Sequence, residues 1–248
     1  MASGTPSGGT TVTMQVRETS LQELISGMKQ FRVPMFQRTY TWKERDHTLL
    51  WRDILGQYEM LLPGAASGPD TGPHFIGSFV LAPTPAPATL PAFLVVDGQQ
   101  RLTTLTLALC ALREAAAQSD PMARERITNQ YLINPYGHGD ERWKFVPTEQ
   151  DKHAYFACID GKDPDNDSLI AAAYRYFTVR LSQPGPDDEP LQLPLLRAGD
   201  HEQTRDRRYH GTGGRQRPSH LRVAQRDRCR PHPGRSASEL LVHAAPDA

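Results

Sequence analysis

The stretch FLVVDGQQRLTTLTLAL, Phe93 to Leu109, decides how the rest of the chain is read. Phe93 to Val96 form an unbroken apolar run, short enough for a buried strand. From Leu102 apolar side chains recur at helical spacing, which predicts a helix over Leu102–Gln118. Between the two stand Asp97, Gly98, Gln99, Gln100 and Arg101. Gly98 permits a sharp turn with positive φ, so strand, turn and helix follow without a linker.

Two chemistries fit those five residues. The first amide N–H groups of a helix lack partners inside it and attract anions, phosphate above all. Arg101 adds a two-point phosphate grip, Gln99 and Gln100 neutral donors and acceptors, and Thr103 and Thr104 hydroxyls in the first turn. Asp97 would hold a divalent cation, orient Arg101 or position a water. The alternative is an ordinary helix start, capped by Asp97 with Arg101 in solvent. Chemistry alone leaves both open. No Walker or dinucleotide-binding glycine pattern is present.

Working outward, Ser20-Leu-Gln-Glu23 is a capping box that opens a helix through Leu24, Ile25 and Met28. Phe31–Val33 reads as a strand stopped by Pro34, and Lys43–Leu62 as an amphipathic helix with Leu50, Ile54 and Leu61 on one face. Two loops rich in Pro (63–73 and 83–91) flank a strand at His74–Ala82. Gly77 inside that strand signals a bulge or a close backbone approach. A strand at Trp143–Val146 and helices at Glu149–Ile159 and Ser168–Leu181 follow. Strands and helices in this order make an α+β domain.

A second polar–aromatic cluster lies at VPMFQRTYTW, Val33 to Trp42. Phe36, Tyr40 and Trp42 could stack a base, while Gln37 and Arg38 read its edge or a phosphate. The spacing equally suits aromatics packed in the core beside a surface arginine, and alone favours that arrangement. His47, His74, His138 and His153 are scattered, which suits ordinary surface or loop histidines.

FRVPMFQRTYTW, HFIGSFVL and VVDGQQRLTTL occur in this order and at these separations, and KFVPTEQDKHAYF (Lys144–Phe156) follows them. Together they resemble the N-terminal domain of GmrSD-type, modification-dependent restriction endonucleases over roughly residues 15–182. The resemblance implies a ParB/sulfiredoxin-like fold with a mixed sheet and flanking helices. It further implies a module that binds and hydrolyses NTP (GTP or ATP, with Mg2+ as a possible companion) in defence against phage DNA carrying modified bases or backbone. It places Asp97, Gln99, Gln100 and Arg101 at the nucleotide; with the helix-start chemistry, Gly98, Thr103 and Thr104 join the binding set and Asp97 and Arg101 are the catalytic residues. Gln37, Arg38, Tyr40 and Trp42 would contact nucleotide or DNA, and a nuclease domain or subunit is expected in full-length relatives.

The 248 residues carry no net charge, so bulk electrostatics select no partner. Cys110, Cys158 and Cys229 show neither metal-ligand nor disulfide spacing. The first residues, MASGTPSGGTT, lack the basic and apolar regions of a signal peptide, and no apolar run approaches the roughly 20 residues of a membrane span. A reduced, cytoplasmic protein is the expectation, with residues 1–12 a disordered tail and 13–204 the domain.

Beyond residue 204 the composition breaks. Residues 205–248 hold ten Arg and four His but no Lys, Ile, Phe, Trp, Met or Asn. The resemblance implies a segment here close to RIFESLNxTGxxLTQADLLRNYxFM. Shifted by one base from the Ser219 codon, the codons allowed for residues 219–243 spell RIFESLNATGV, then TQADLLRNY and FM, and Asp206–His210 spell IVVIT. This reading makes 205–248 an out-of-frame, disordered tail and the domain incomplete at its C-terminus, with thinner cover over Phe75, Val80, Val95 and Leu105. An Arg-rich tail that binds phosphate backbones is the competing explanation.

Overall fold

The computed structural model describes residues 14–62, 75–84, 89–164, 167–185, 189, 191–192 and 222–228. Six strands form one mixed sheet: β1 (Met14–Ser20), β2 (Gln30–Arg32), β3 (Phe75–Pro83), β4 (Ala92–Asp97), β5 (Phe145–Val146) and β6 (Arg222–Arg228), in the order β1-β6-β3-β4-β2-β5. β3 runs antiparallel to β4, which lies parallel to β2; β2 is parallel to β5, and β6 is antiparallel to β1 and parallel to β3. The helices are α1 (Leu21–Ile25), α2 (Glu44–Leu61), α3 (Gln99–Ala117), α4 (Pro121–Ile127), α5 (Lys152–Ile159) and α6 (Leu169–Leu181). The architecture is α+β, as expected.

Ser20 accepts a hydrogen bond from the Glu23 amide while the Glu23 carboxylate accepts one from the Ser20 amide, so the capping box starts α1. The helix ends before Met28 because Gly27 turns the chain at φ 82°. α3 is buried almost all round: Leu102, Leu105, Leu107, Cys110, Ala111, Leu112 and Ala116 all lie in the core. Three threonines are buried with them. Their hydroxyls donate within the helix, Thr103 to Gln99 O, Thr104 to Gln100 O and Thr106 to Leu102 O. Hydrogen-bonding back along the helix removes the penalty of burying a hydroxyl. This polar start on a core helix brings the turn before it against the sheet.

Three sequence expectations change here. α3 begins at Gln99, three residues earlier than the apolar periodicity placed it, so Gln99, Gln100 and Arg101 form its first turn rather than a loop. The tail does not stay wholly outside the fold either, because Arg222–Arg228 pairs with both β1 and β3; the rest of 205–248, like residues 1–13, lies outside the described residues. Val80, Val95 and Leu105 are buried, against the expectation of thin cover, while Phe75 is 60% exposed. Among the described residues no helix is long and apolar enough to cross a membrane.

Candidate functional site: the strand–turn–helix and the loop locked to it

The chain leaves β4 at Asp97 and turns through Gly98, whose φ of 86° and ψ of 5° lie in the left-handed region. Gly98 is therefore the N-cap residue of α3 and contributes no side chain to it. Asp97 is exposed and belongs to β4, so the helix-cap explanation of the motif does not apply.

Glycine is required at 98 for a second reason. A Cβ there would lie 2.6 Å from Phe79 Cδ1 and 3.1 Å from Ser78 O. Gly77, two residues before Phe79 on β3, stands in the same relation to the helix. A Cβ at 77 would lie 2.6 Å from Arg101 Cζ. The sequence signal at Gly77 is met in both senses: Arg101 approaches closely, and the register of β3 against β6 is irregular between Phe75 and Ser78, while against β4 it shifts further on, between Val80 and Leu81. Arg101 is half-buried, with its Cζ 6.0 Å from the centre of the Trp42 ring, within cation–π range.

The two glutamines do not face outward. Gln100 is 8% exposed; its Nε2 donates to Thr39 O at 3.0 Å and its Oε1 accepts from Thr41 N at 2.7 Å. Gln99 is also buried, with its Nε2 3.4 Å from Arg38 O. From the other side Gln37 Nε2 donates to Val96 O at 2.9 Å. The FQRTYTW loop and the DGQQR turn are thus joined chiefly through side-chain amides on backbone groups. Thr103 and Thr104 are buried, their hydroxyls directed into the helix.

Tyr40 completes the lock. Its ring is buried, which removes it as a stacking platform for a base. The phenol oxygen is 2.6 Å from Thr104 Oγ1 and 2.9 Å from His47 Nε2. Thr104 donates its only proton to Gln100 O. Tyr40 must then donate to Thr104, and His47 Nε2–H to the phenol oxygen. Burial pushes the Tyr40 phenol well above its ordinary pKa. The Tyr40 amide donates to Asp151 Oδ2 at 2.9 Å, and the same carboxylate oxygen accepts from Thr148 Oγ1 at 2.5 Å. Asp151 went unremarked in the sequence, although Thr148-x-x-Asp151 before a helix is a local hydrogen-bonding pattern.

His47 is also corrected. It is not a surface residue but is buried on α2, among Tyr40, Tyr176 and Phe177. Burial is the largest effect on it and lowers its pKa. The unfolded chain then binds the proton more readily, so the stabilisation is present above the unfolded value of 6.5 and disappears as pH falls through the folded value. Urea midpoints measured from pH 7.5 down to pH 5 should therefore fall more steeply for the wild-type chain than for His47→Gln. Equal slopes would mean that His47 titrates as it does in the unfolded chain.

Of the residues singled out in the sequence, the structure brings Gln37, Arg38, Tyr40 and Trp42 together with the turn. Asp97, Arg101, Arg38, Trp42 and Phe36 keep side chains that are exposed or half-exposed and not tied to the backbone. Among the described residues no three His, Cys, Asp or Glu side chains gather as metal ligands.

No curated protein matches the chain. The family model for the N-terminal domain of GmrSD restriction endonucleases matches residues 21–192, a span that takes in both locked motifs and the helices behind them. The chain belongs to the GmrSD restriction endonuclease N-terminal domain family.

Proposed function

We propose that this restriction-system module binds the phosphates of GTP or ATP at the start of α3 and hydrolyses the nucleotide. The observation that carries this is the division of labour within one helical turn. Gln99, Gln100, Thr103 and Thr104 are turned inward and hold the fold, while Arg101 stays half-exposed above a helix N-terminus with a glycine cap. Amide donors, the helix dipole and a guanidinium then converge on one anion. The nucleotide-binding set is accordingly Gly98 through its backbone, Arg101, and Arg38 and Trp42 at the rim, with the buried residues as positioning groups.

Asp97 is the carboxylate nearest in sequence to that turn and lies exposed at the end of β4. It suits the orientation of an attacking water. A single carboxylate fits Mg2+ that arrives on the nucleotide phosphates, rather than a protein-built metal cage. When bound, the ion would neutralise phosphate charge. In the sensing of modified phage DNA, the exposed Arg38 and Phe36 and the half-buried Trp42 are the available contacts.

Purified chain titrated with GTP and with ATP in Mg2+ tests this. Arg101→Ala should weaken binding about 10- to 100-fold, the scale of a lost charged hydrogen bond. Asp97→Ala should retain binding and lose phosphate release. A wild-type chain that binds neither nucleotide rejects the proposal. Saturable binding without phosphate release would favour a second reading, a nucleotide sensor without turnover, for which the exposure of Arg38 within the anchored loop speaks.

A further inference from the structure

Arg101 is a long side chain on the first turn of a helix, a place where a guanidinium would ordinarily sweep through solvent. Here it rests on β3. The space that any side chain at 77 would need is filled by its Cζ and by both Nη atoms. Gly77 has a φ of 114°, so the backbone at this point is also one that L side chains rarely adopt. Two residues on, Phe79 fills the matching space above Gly98. One short piece of β3 therefore carries both halves of an interlock: a glycine that receives the arginine, and a ring received by the glycine of the turn. The Trp42 ring centre lies 6.0 Å from the Arg101 Cζ. The guanidinium thus has a floor on β3 and an aromatic neighbour from the locked loop.

We propose that Gly77 is a positioning residue, holding the Arg101 guanidinium in place before any nucleotide arrives. This rests on the nucleotide reading for its functional consequence but not for its structural content. An arginine already seated loses little rotamer freedom when it meets a phosphate, and prior seating of this kind raises affinity without adding a contact. Nothing at position 77 would touch the ligand; its effect passes through Arg101.

The test is a double-mutant cycle in the full chain, read by GTP and ATP binding in Mg2+ and by urea midpoint. Gly77→Ala should weaken nucleotide binding about tenfold in the wild-type background and leave it unchanged in the Arg101→Ala background. It should also destabilise the wild-type chain more than the Arg101→Ala chain, because only the former has a guanidinium to displace. Equal effects in both backgrounds, in binding and in stability, would overturn the proposal, as would unaltered binding in Gly77→Ala.

If Gly77→Ala does not fold, the unsubstituted chain decides. Its Arg101 Nε–Hε resonance, assigned by its loss in Arg101→Lys, should be dispersed and slow to exchange without nucleotide. A resonance averaged with those of mobile surface arginines refutes the seat. A chain that binds neither nucleotide rejects the nucleotide reading alone; the stability coupling and the resonance still judge Gly77.

Discussion

Gly98→Ala should destabilise the chain by about 2–5 kcal/mol, from backbone strain and overpacking together. The left-handed φ of 86° is unfavourable for alanine, at about 1–2 kcal/mol. The new methyl would meet Phe79, a ring with no exposed surface and so little room to retreat. Gly139 supplies the internal comparison. It has a φ of 54°, and a Cβ there would meet nothing within 4 Å, so Gly139→Ala should show the backbone cost with no clash. Denaturation midpoints of the two variants separate the effects. If Gly98→Ala is no worse than Gly139→Ala, the Phe79 contact yields and the turn is less rigid than its geometry implies.

Arg113→Ala should cost about 2–4 kcal/mol, through the hydrogen bonds lost at Ile159 O and Cys158 O and the volume removed. Arg113 is 2% exposed on α3, yet it is a charged residue in the core. Its Nη1 donates to Ile159 O at 2.6 Å and its Nη2 to Cys158 O at 2.9 Å, while Nε pairs with Glu114 Oε1 at 2.7 Å. The two carbonyls are the last of α5, the negative end of that helix dipole, which is where a buried cation is best tolerated. Lysine cannot reproduce three donors in a plane. Arg113→Lys should therefore recover less than half of the loss in urea denaturation. Full recovery by lysine would show that charge alone matters, and a loss below about 1 kcal/mol would show that α5 finds other partners.

The elements that declared themselves in the sequence were those with a local physical signature. The Ser20–Glu23 box fixed the start of α1, and the apolar run of β4 and the glycine after it fixed the turn. The start of α3 was misplaced because its first turn is polar. Gln99, Gln100 and Arg101 break the apolar period, and only their tertiary partners explain why such residues sit at a buried helix start. α4 went unread despite its signal: Asp120 caps it, and Pro121 follows at the first helical position. β1 is likewise absent from the sequence reading, although Val12, Met14 and Val16 alternate as a strand's side chains do. β6, drawn from an arginine-rich stretch without apolar periodicity, carried no such signal.

The site divided in the same way. Residue types indicated that Gln99, Gln100, Thr103 and Thr104 mattered, but not which way they faced, because a glutamine that binds a ligand and one that binds a backbone look alike in sequence. The seating of Arg101 on Gly77 spans 24 positions and belongs to no local pattern. Its only trace was a glycine inside a strand.

Gln99 and Gln100 grip the FQRTYTW loop through the carbonyls of Arg38 and Thr39, and Gln100 also through the Thr41 amide. Every amino acid carries the carbonyl, and all but proline the amide N–H. Fastened at positions 38 and 39 by its main chain, the loop can exchange the exposed Arg38 side chain without losing these hydrogen bonds, so the chemistry displayed at the rim of the turn is uncoupled from the frame that holds it.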